Sequence, residues 1–128
     1  MAEAKTIARP YAKAAFESAL AADALDSWAE ALALLSTISQ QPKVHSLIGS
    51  PSITGAEKSS QIMALCADDL TQAQQNFIGM LALNKRLALL SDIELLFGEL
   101  KSERERTINV QVNSAFPLDQ DAENKLAD

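Results

Sequence analysis

A chain of 128 residues is long enough for one domain with a real core plus a short appendage, and two full domains would be cramped. With 48% hydrophobic residues, only 5% aromatic and four glycines, the composition favours an all-α, Ala/Leu-rich helical bundle over a β-sandwich. The net charge of -6 argues against a non-specific nucleic-acid binder, because no Lys/Arg cluster is large enough to neutralise several phosphates, whereas a cationic partner segment is easily accommodated.

No run approaches the roughly 18 to 20 apolar residues of a membrane span, so direct membrane insertion is not expected. The opening MAEAKT lacks the basic and then apolar halves of a signal peptide, and the chain is read as cytoplasmic. The single cysteine, Cys66, has no internal disulfide partner and reads as small core filler.

The first predicted helix starts near residues 6–8, because Pro10 belongs in a first turn, and runs to about residue 22. Its charges, Lys5, Arg9, Lys13 and Glu17, recur every fourth residue and form one polar stripe. The uncharged arc spans roughly 200°, about twice what a one-sided surface helix needs. Ala8, Ala12, Ala15, Phe16 and Ala19 line one flank and suit close approach of neighbouring helices. Ile7, Tyr11, Ala14 and Ser18 line the next, which is either a second core contact or a groove left open for a partner.

Asp23 or Asp26 is expected to cap a second helix in which Leu25, Trp28, Ala29, Leu32, Leu35 and Ile38 recur at three and four, ending before Pro42. Trp28 should be largely buried. Pro42 opens a short third helix, 43–48, which Gly49 and Ser50-Pro51 terminate. Thr54-Gly55-Ala56-Glu57 is a capping-box pattern for a fourth helix with Ile62, Leu65 and Cys66 facing inward. Thr71-Gln72-Ala73-Gln74 repeats the device for a fifth helix, to about residue 84. Here too the apolar surface exceeds one face: Phe77, Ile78 and Leu81 lie together, while Asn76, Gly79, Met80 and Leu83 form a separate flank.

Ser91-Asp92-Ile93-Glu94 is read as a third capping box, opening a sixth helix with Ile93, Leu96, Phe97, Leu100 and Arg104 on one side and a solvated charge run at 103–106. Residues 107–113 then alternate strictly between polar and apolar, the pattern of a half-buried strand, although a lone strand has no ladder partner. Residues 116–128 carry Pro117, Asp119, Asp121 and Glu123 and read as the acidic start of a further helix. The expected organisation is a six-helix domain over 1–106 and a strand/helix tail over 107–128.

Catalysis has no foothold. One His and one Cys cannot supply a tetrahedral zinc site, the glycines at 49, 55, 79 and 98 form no phosphate loop, and no cofactor is expected. Asp68-Asp69 reads as a solvated helix end, and Lys85-Arg86 as cations complementing a helix C-terminus. His45-Ser46-Leu47-Ile48-Gly49-Ser50 partly resembles the phosphoryl-accepting motif of histidine phosphotransfer domains. Those domains carry a lysine between the Leu and the Gly and continue the helix past the glycine; Ile48 and Pro51 depart from both requirements, which leaves that function as the alternative reading.

Four stretches together resemble a known family: IARPYAKAAFE near the N-terminus, Trp28, NKRLALLSDIELLF over 84–97, and the closing strand followed by SAFPL. They are similar to the delta subunit of the bacterial F-type ATP synthase, whose mitochondrial counterpart is the oligomycin-sensitivity-conferring protein. The resemblance covers essentially the whole chain. It implies a non-catalytic stator component of the peripheral stalk, at the cytoplasmic face of the bacterial inner membrane and monomeric when isolated. A six-helix domain on the catalytic head would grip the N-terminal segment of an alpha subunit between the first and fifth helices, the two whose apolar arcs are too wide. The residues expected to line that groove are Tyr11, Ala14, Ala15 and Ser18 with Asn76, Gly79, Met80 and Leu83. A C-terminal domain that joins the b subunits would follow, and the sequence is expected to stop one strand and part of a helix into it.

Overall fold

The computed structural model describes residues 2–115 and, for side chains, residues 3–66 and 68–110. Among these residues the chain forms α1 (Ala2–Ala21), α2 (Leu25–Ser39), α3 (Pro42–Gly49), α4 (Gly55–Cys66), α5 (Gln72–Leu83) and α6 (Leu90–Ala115). Short 3-10 turns at Ala67–Asp69 and Leu87–Leu89 lead into α5 and α6. The expected all-α, six-helix bundle is what forms, and no described helix is long and apolar enough to cross a membrane.

The core grows outward from small side chains. Ala8, Ala12, Ala15 and Ala19 are wholly buried and repeat at four, three and four, so one seam of α1 carries nothing larger than a methyl group. Against that seam lie α6 and α2, which also pack extensively on each other. Ile93, Leu96 and Phe97 supply the buried face of α6, and Leu32, Leu35 and Ile38 that of α2. Phe16 is only partly buried and meets Phe97 edge to face, with ring centroids 5.7 Å apart. Helices α4 and α5 form the other main pairing. They join the core through Ile62, Cys66, Phe77, Ile78 and Leu81, and Trp28, 3% exposed, stacks edge to face on Phe77 at 5.6 Å. Burial, and secondarily the charge of Asp69, pushes the Cys66 thiol above its ordinary range. It therefore stays protonated and donates to the Ile62 carbonyl at 3.3 Å, as core filler.

Turn chemistry sets several boundaries differently from the sequence reading. Helix α1 begins at Ala2 and carries Pro10 in its interior, where the missing N–H lies on the solvent side of the helix and not in the core. Asp23 does not cap α2. It adopts φ 51° and closes α1, with its N–H bonded to the Leu20 carbonyl and the Ala24 N–H bonded to that of Ala19, the paired bonds of a Schellman motif. Asp26 lies within the first turn of α2 and pairs with Lys101 of α6 at 3.3 Å. Lys85 at φ 61° ends α5 in the same way, through Lys85 N–H to Ala82 O and Arg86 N–H to Leu81 O. Leu65, expected inside, is 60% exposed, because the inward face of α4 is centred on Ile62 and Cys66.

Helix α6 departs most from expectation. It starts at Leu90, directly after a 3-10 turn held in the core by Leu87, so Ser91 is inside the helix and no capping box forms there. The Ser91 hydroxyl instead meets Ser36 Oγ at 3.0 Å and accepts from Gln40 Nε2 at 2.8 Å, tying α6 to α2. At the other end the strand expected over 107–113 is helical through Ala115. A strand there would leave its backbone groups without a ladder, whereas continuing α6 bonds each to a residue four away; Thr107 Oγ1 adds a bond to the Glu103 carbonyl at 2.9 Å. The expected boundary at residue 106 thus falls inside α6, and the tail helix expected over 116–128 lies outside the described residues.

Two pairs of substitutions check this packing. A Cβ on Gly55 would sit 2.4 Å from the Ala82 carbonyl oxygen, whereas one on Gly98 would meet nothing within 4 Å. Gly55→Ala is expected to cost about 1–3 kcal/mol and Gly98→Ala to stabilise by roughly 0.5–1 kcal/mol, both read from urea denaturation midpoints. Phe77→Ala and Leu81→Ala, at positions 7% and 0% exposed, should each lose about 2–5 kcal/mol by the same measurement.

Candidate functional site

The inward alanines of α1 leave the adjoining flank of that helix uncovered. Ile7 is 41% exposed, Tyr11 is half-buried, and Ala14 and Ser18 are exposed, again spaced four, three and four. Of the groove residues expected on α1, Ala15 behaves differently: it is wholly buried and belongs to the inner seam. On α5 the residues facing the core are Gln74, Phe77, Ile78, Leu81 and Ala82. Asn76 and Met80 stand on the outer side with Leu83, which at 79% is the most exposed large apolar residue described, and Gly79 is half-buried between the two faces. Neither helix packs extensively on the other; both border the turn Leu87–Leu89. Each therefore keeps a narrow, mostly apolar strip of its own, with heptad-like spacing along it.

The α5 strip is held in place by its N-terminus. Thr71 Oγ1 accepts from the Gln74 backbone N–H at 3.2 Å, and Gln74 Oε1 accepts from the Thr71 N–H at 2.9 Å, the reciprocal pair that the Thr-x-x-Gln spacing predicts. What the spacing did not reveal is the third bond of Gln74. Its Nε2 donates to Ser27 Oγ at 3.1 Å, so a side chain only 2% exposed anchors the start of α5 to the first turn of α2. Gln72 Nε2 donates to Asn76 Oδ1 at 2.9 Å, which fixes the polar end of the strip. With the Schellman closure at Lys85, both ends of α5 are defined, and the outward residues present a rigid surface.

The charge on this surface is uneven. The α5 segment QAQQNFIGMLAL carries no ionisable residue, and the cationic ridge Lys5, Arg9 and Lys13 lies on the far side of α1 from Tyr11 and Ala14. A surface of this kind suits contact by shape and apolar burial, with the Asn76 amide available for hydrogen bonds. His45 is exposed on the eight-residue α3, which ends at Gly49 as its sequence requires. Ile7 extends the α1 strip by one turn, a signal present in the helical spacing but absent from the expected groove set.

Residues 7–128 match the family model described as ATP synthase delta (OSCP) subunit. The chain is 47% identical over 127 residues to the ATP synthase subunit delta of Cellvibrio japonicus, an alignment that covers 99% of this chain and 71% of that protein. It is 44% identical, with the same coverage, to the ATP synthase subunit delta of Teredinibacter turnerae. On fold, on the motifs at 7–17 and 84–97, and on these matches, the chain belongs to the ATP synthase delta (OSCP) subunit family.

Proposed function

We propose that the chain tethers the catalytic head of an ATP synthase to its peripheral stalk by gripping the N-terminal helical segment of an alpha subunit between α1 and α5. Family membership carries the coarser part: a non-catalytic, peripheral-stalk component of the F1 sector. The observation that supports the finer part is the pair of exposed strips, Tyr11, Ala14 and Ser18 on α1 and Asn76, Gly79, Met80 and Leu83 on α5, mounted on a fully packed core. Strips at this spacing fit an amphipathic helix laid in a groove, whose apolar residues at three and four replace the water over Met80 and Leu83. Ala15 serves from beneath, as part of the α1 seam. The work is attachment: a stator must resist the drag of the rotor, so the contact has to be strong and stiff. In this reading residues 107–128 begin the region that joins the b subunits, and the complex lies at the cytoplasmic face of the bacterial inner membrane.

A peptide of the alpha-subunit N-terminus, titrated calorimetrically into the full chain, tests the groove. Ala14→Asp should abolish binding while leaving the melting temperature nearly unchanged, because Ala14 is exposed. Equal loss of stability and binding would place Ala14 in the core and sink the groove reading. Deleting residues 107–128, which removes the last turns of α6, should leave peptide binding intact, since both strips lie before them; binding lost on that deletion would mean that the C-terminal end of α6 supports the groove.

A further inference from the structure

We propose that the outer face of α6, where it runs beside the C-terminal half of α2, is a second docking surface whose occupant is a cationic amphipathic helix. An open groove of about 980 Å³ lies there, floored by Ser36 and Gln40 of α2 and by Leu95 and Gly98 of α6. Ser91, Leu95, Gly98 and Ser102 recur at four, three and four along α6, the track that a helix ridge follows. Leu95 is 49% exposed within it, and beside it the backbone of Gly98 faces open space. A small-residue floor with one uncovered leucine admits a helix at close range.

Charge selects the occupant. The groove is bordered by Asp92, Glu94, Glu99 and Glu103, against the single cation Arg106. Among the described residues the ion pairs are those of Lys101 with Asp26 and with Glu105, so none of the four carboxylates is neutralised within the bundle. A segment that carries lysines or arginines along its flanks and a leucine-like ridge between them satisfies both the carboxylates and Leu95. The uncharged α5 strip has no such requirement, so the two surfaces select different partners, and this proposal stands whether or not the α1–α5 groove holds an alpha-subunit segment.

The test titrates two synthetic helical peptides into the isotope-labelled full chain at physiological salt, one of Leu and Lys and one of Leu and Glu, each about 18 residues or five turns. The Leu/Lys peptide should shift amide resonances between Ser91 and Ser102, and the Leu/Glu peptide should not bind. Gly98→Leu fills the groove floor without removing a charge and should weaken the Leu/Lys peptide by at least about tenfold; Leu95→Ser, a second variant at an exposed site, should weaken it as well. Unchanged affinity in both variants would reduce the effect to diffuse attraction and overturn the proposal. Shifts centred on Tyr11 and Met80 would overturn it too. So would concentration-dependent self-association of the chain alone that Gly98→Leu abolishes, because the occupant would then be a second copy bringing the Lys5, Arg9 and Lys13 ridge.

Discussion

Four buried methyl groups set the geometry of the bundle. With alanine at positions 8, 12, 15 and 19, α1 has no long side chain on its inner seam, and its backbone can sit close to α6 and α2. Close approach concentrates the larger apolar residues, Leu32, Leu35, Ile93 and Phe97, around that seam and not across it. A leucine in place of any of the four would have to push helices apart, since the interior has no spare volume to receive it. The seam also explains why α1 has surface left over: a helix that makes its core contact with methyl groups alone uses a narrow arc for it. The Tyr11 and Ala14 flank is the remainder.

A second constraint orders the other half of the molecule. Gln74 closes a capping box on its own helix and binds Ser27 of α2 from the same amide. A buried amide in this position stabilises only if its hydrogen-bonding groups are satisfied, and the arrangement satisfies donor and acceptor together. The start of α5 is thereby tied to α2, Trp28 and Phe77 pack one turn further along, and the outer residues of α5 inherit a fixed direction. The exposed strip of α5 is thus a by-product of core satisfaction, a surface already ordered before anything meets it.

Much of this was legible in the residues. The helix pairs of apolar positions, the Thr54 and Thr71 caps, Pro42 as a helix start and the double-faced character of α1 and α5 all follow from spacing. The errors share one cause, which is that a short motif was read without the neighbour that competes for it. Ser91 has the signature of a cap, but Ser36 and Gln40 across the bundle take its hydroxyl. Asp23 resembles a cap because its residue type tolerates several roles, and the end of α1 claims it for the left-handed position. The alternation at 107–113 is real as a pattern, yet hydrogen bonding is decided by what lies alongside, and a helix already under way supplies it at no extra nucleation cost. Ala15 belongs by spacing to the Ala8, Ala12 and Ala19 flank and enters the expected groove set only alongside Ala14; its complete burial keeps it with the seam.

The length of α6 has a mechanical meaning. Its 26 residues make a rod of about 39 Å that packs against α1 and α2 through Ile93, Leu96 and Phe97 and whose residues 102–110 are exposed. No proline interrupts that helix and no 3-10 stretch divides it, so there is no hinge at the edge of the bundle. A load at Ala115 would be carried down a continuous ladder of backbone hydrogen bonds and enter the core over more than one turn, spread across Phe97, Leu96 and Ile93 instead of concentrating at one joint. A rod built this way has the mechanics of a cantilever: under a load at its free end it bends a little along its whole length, and it recovers when the load is removed.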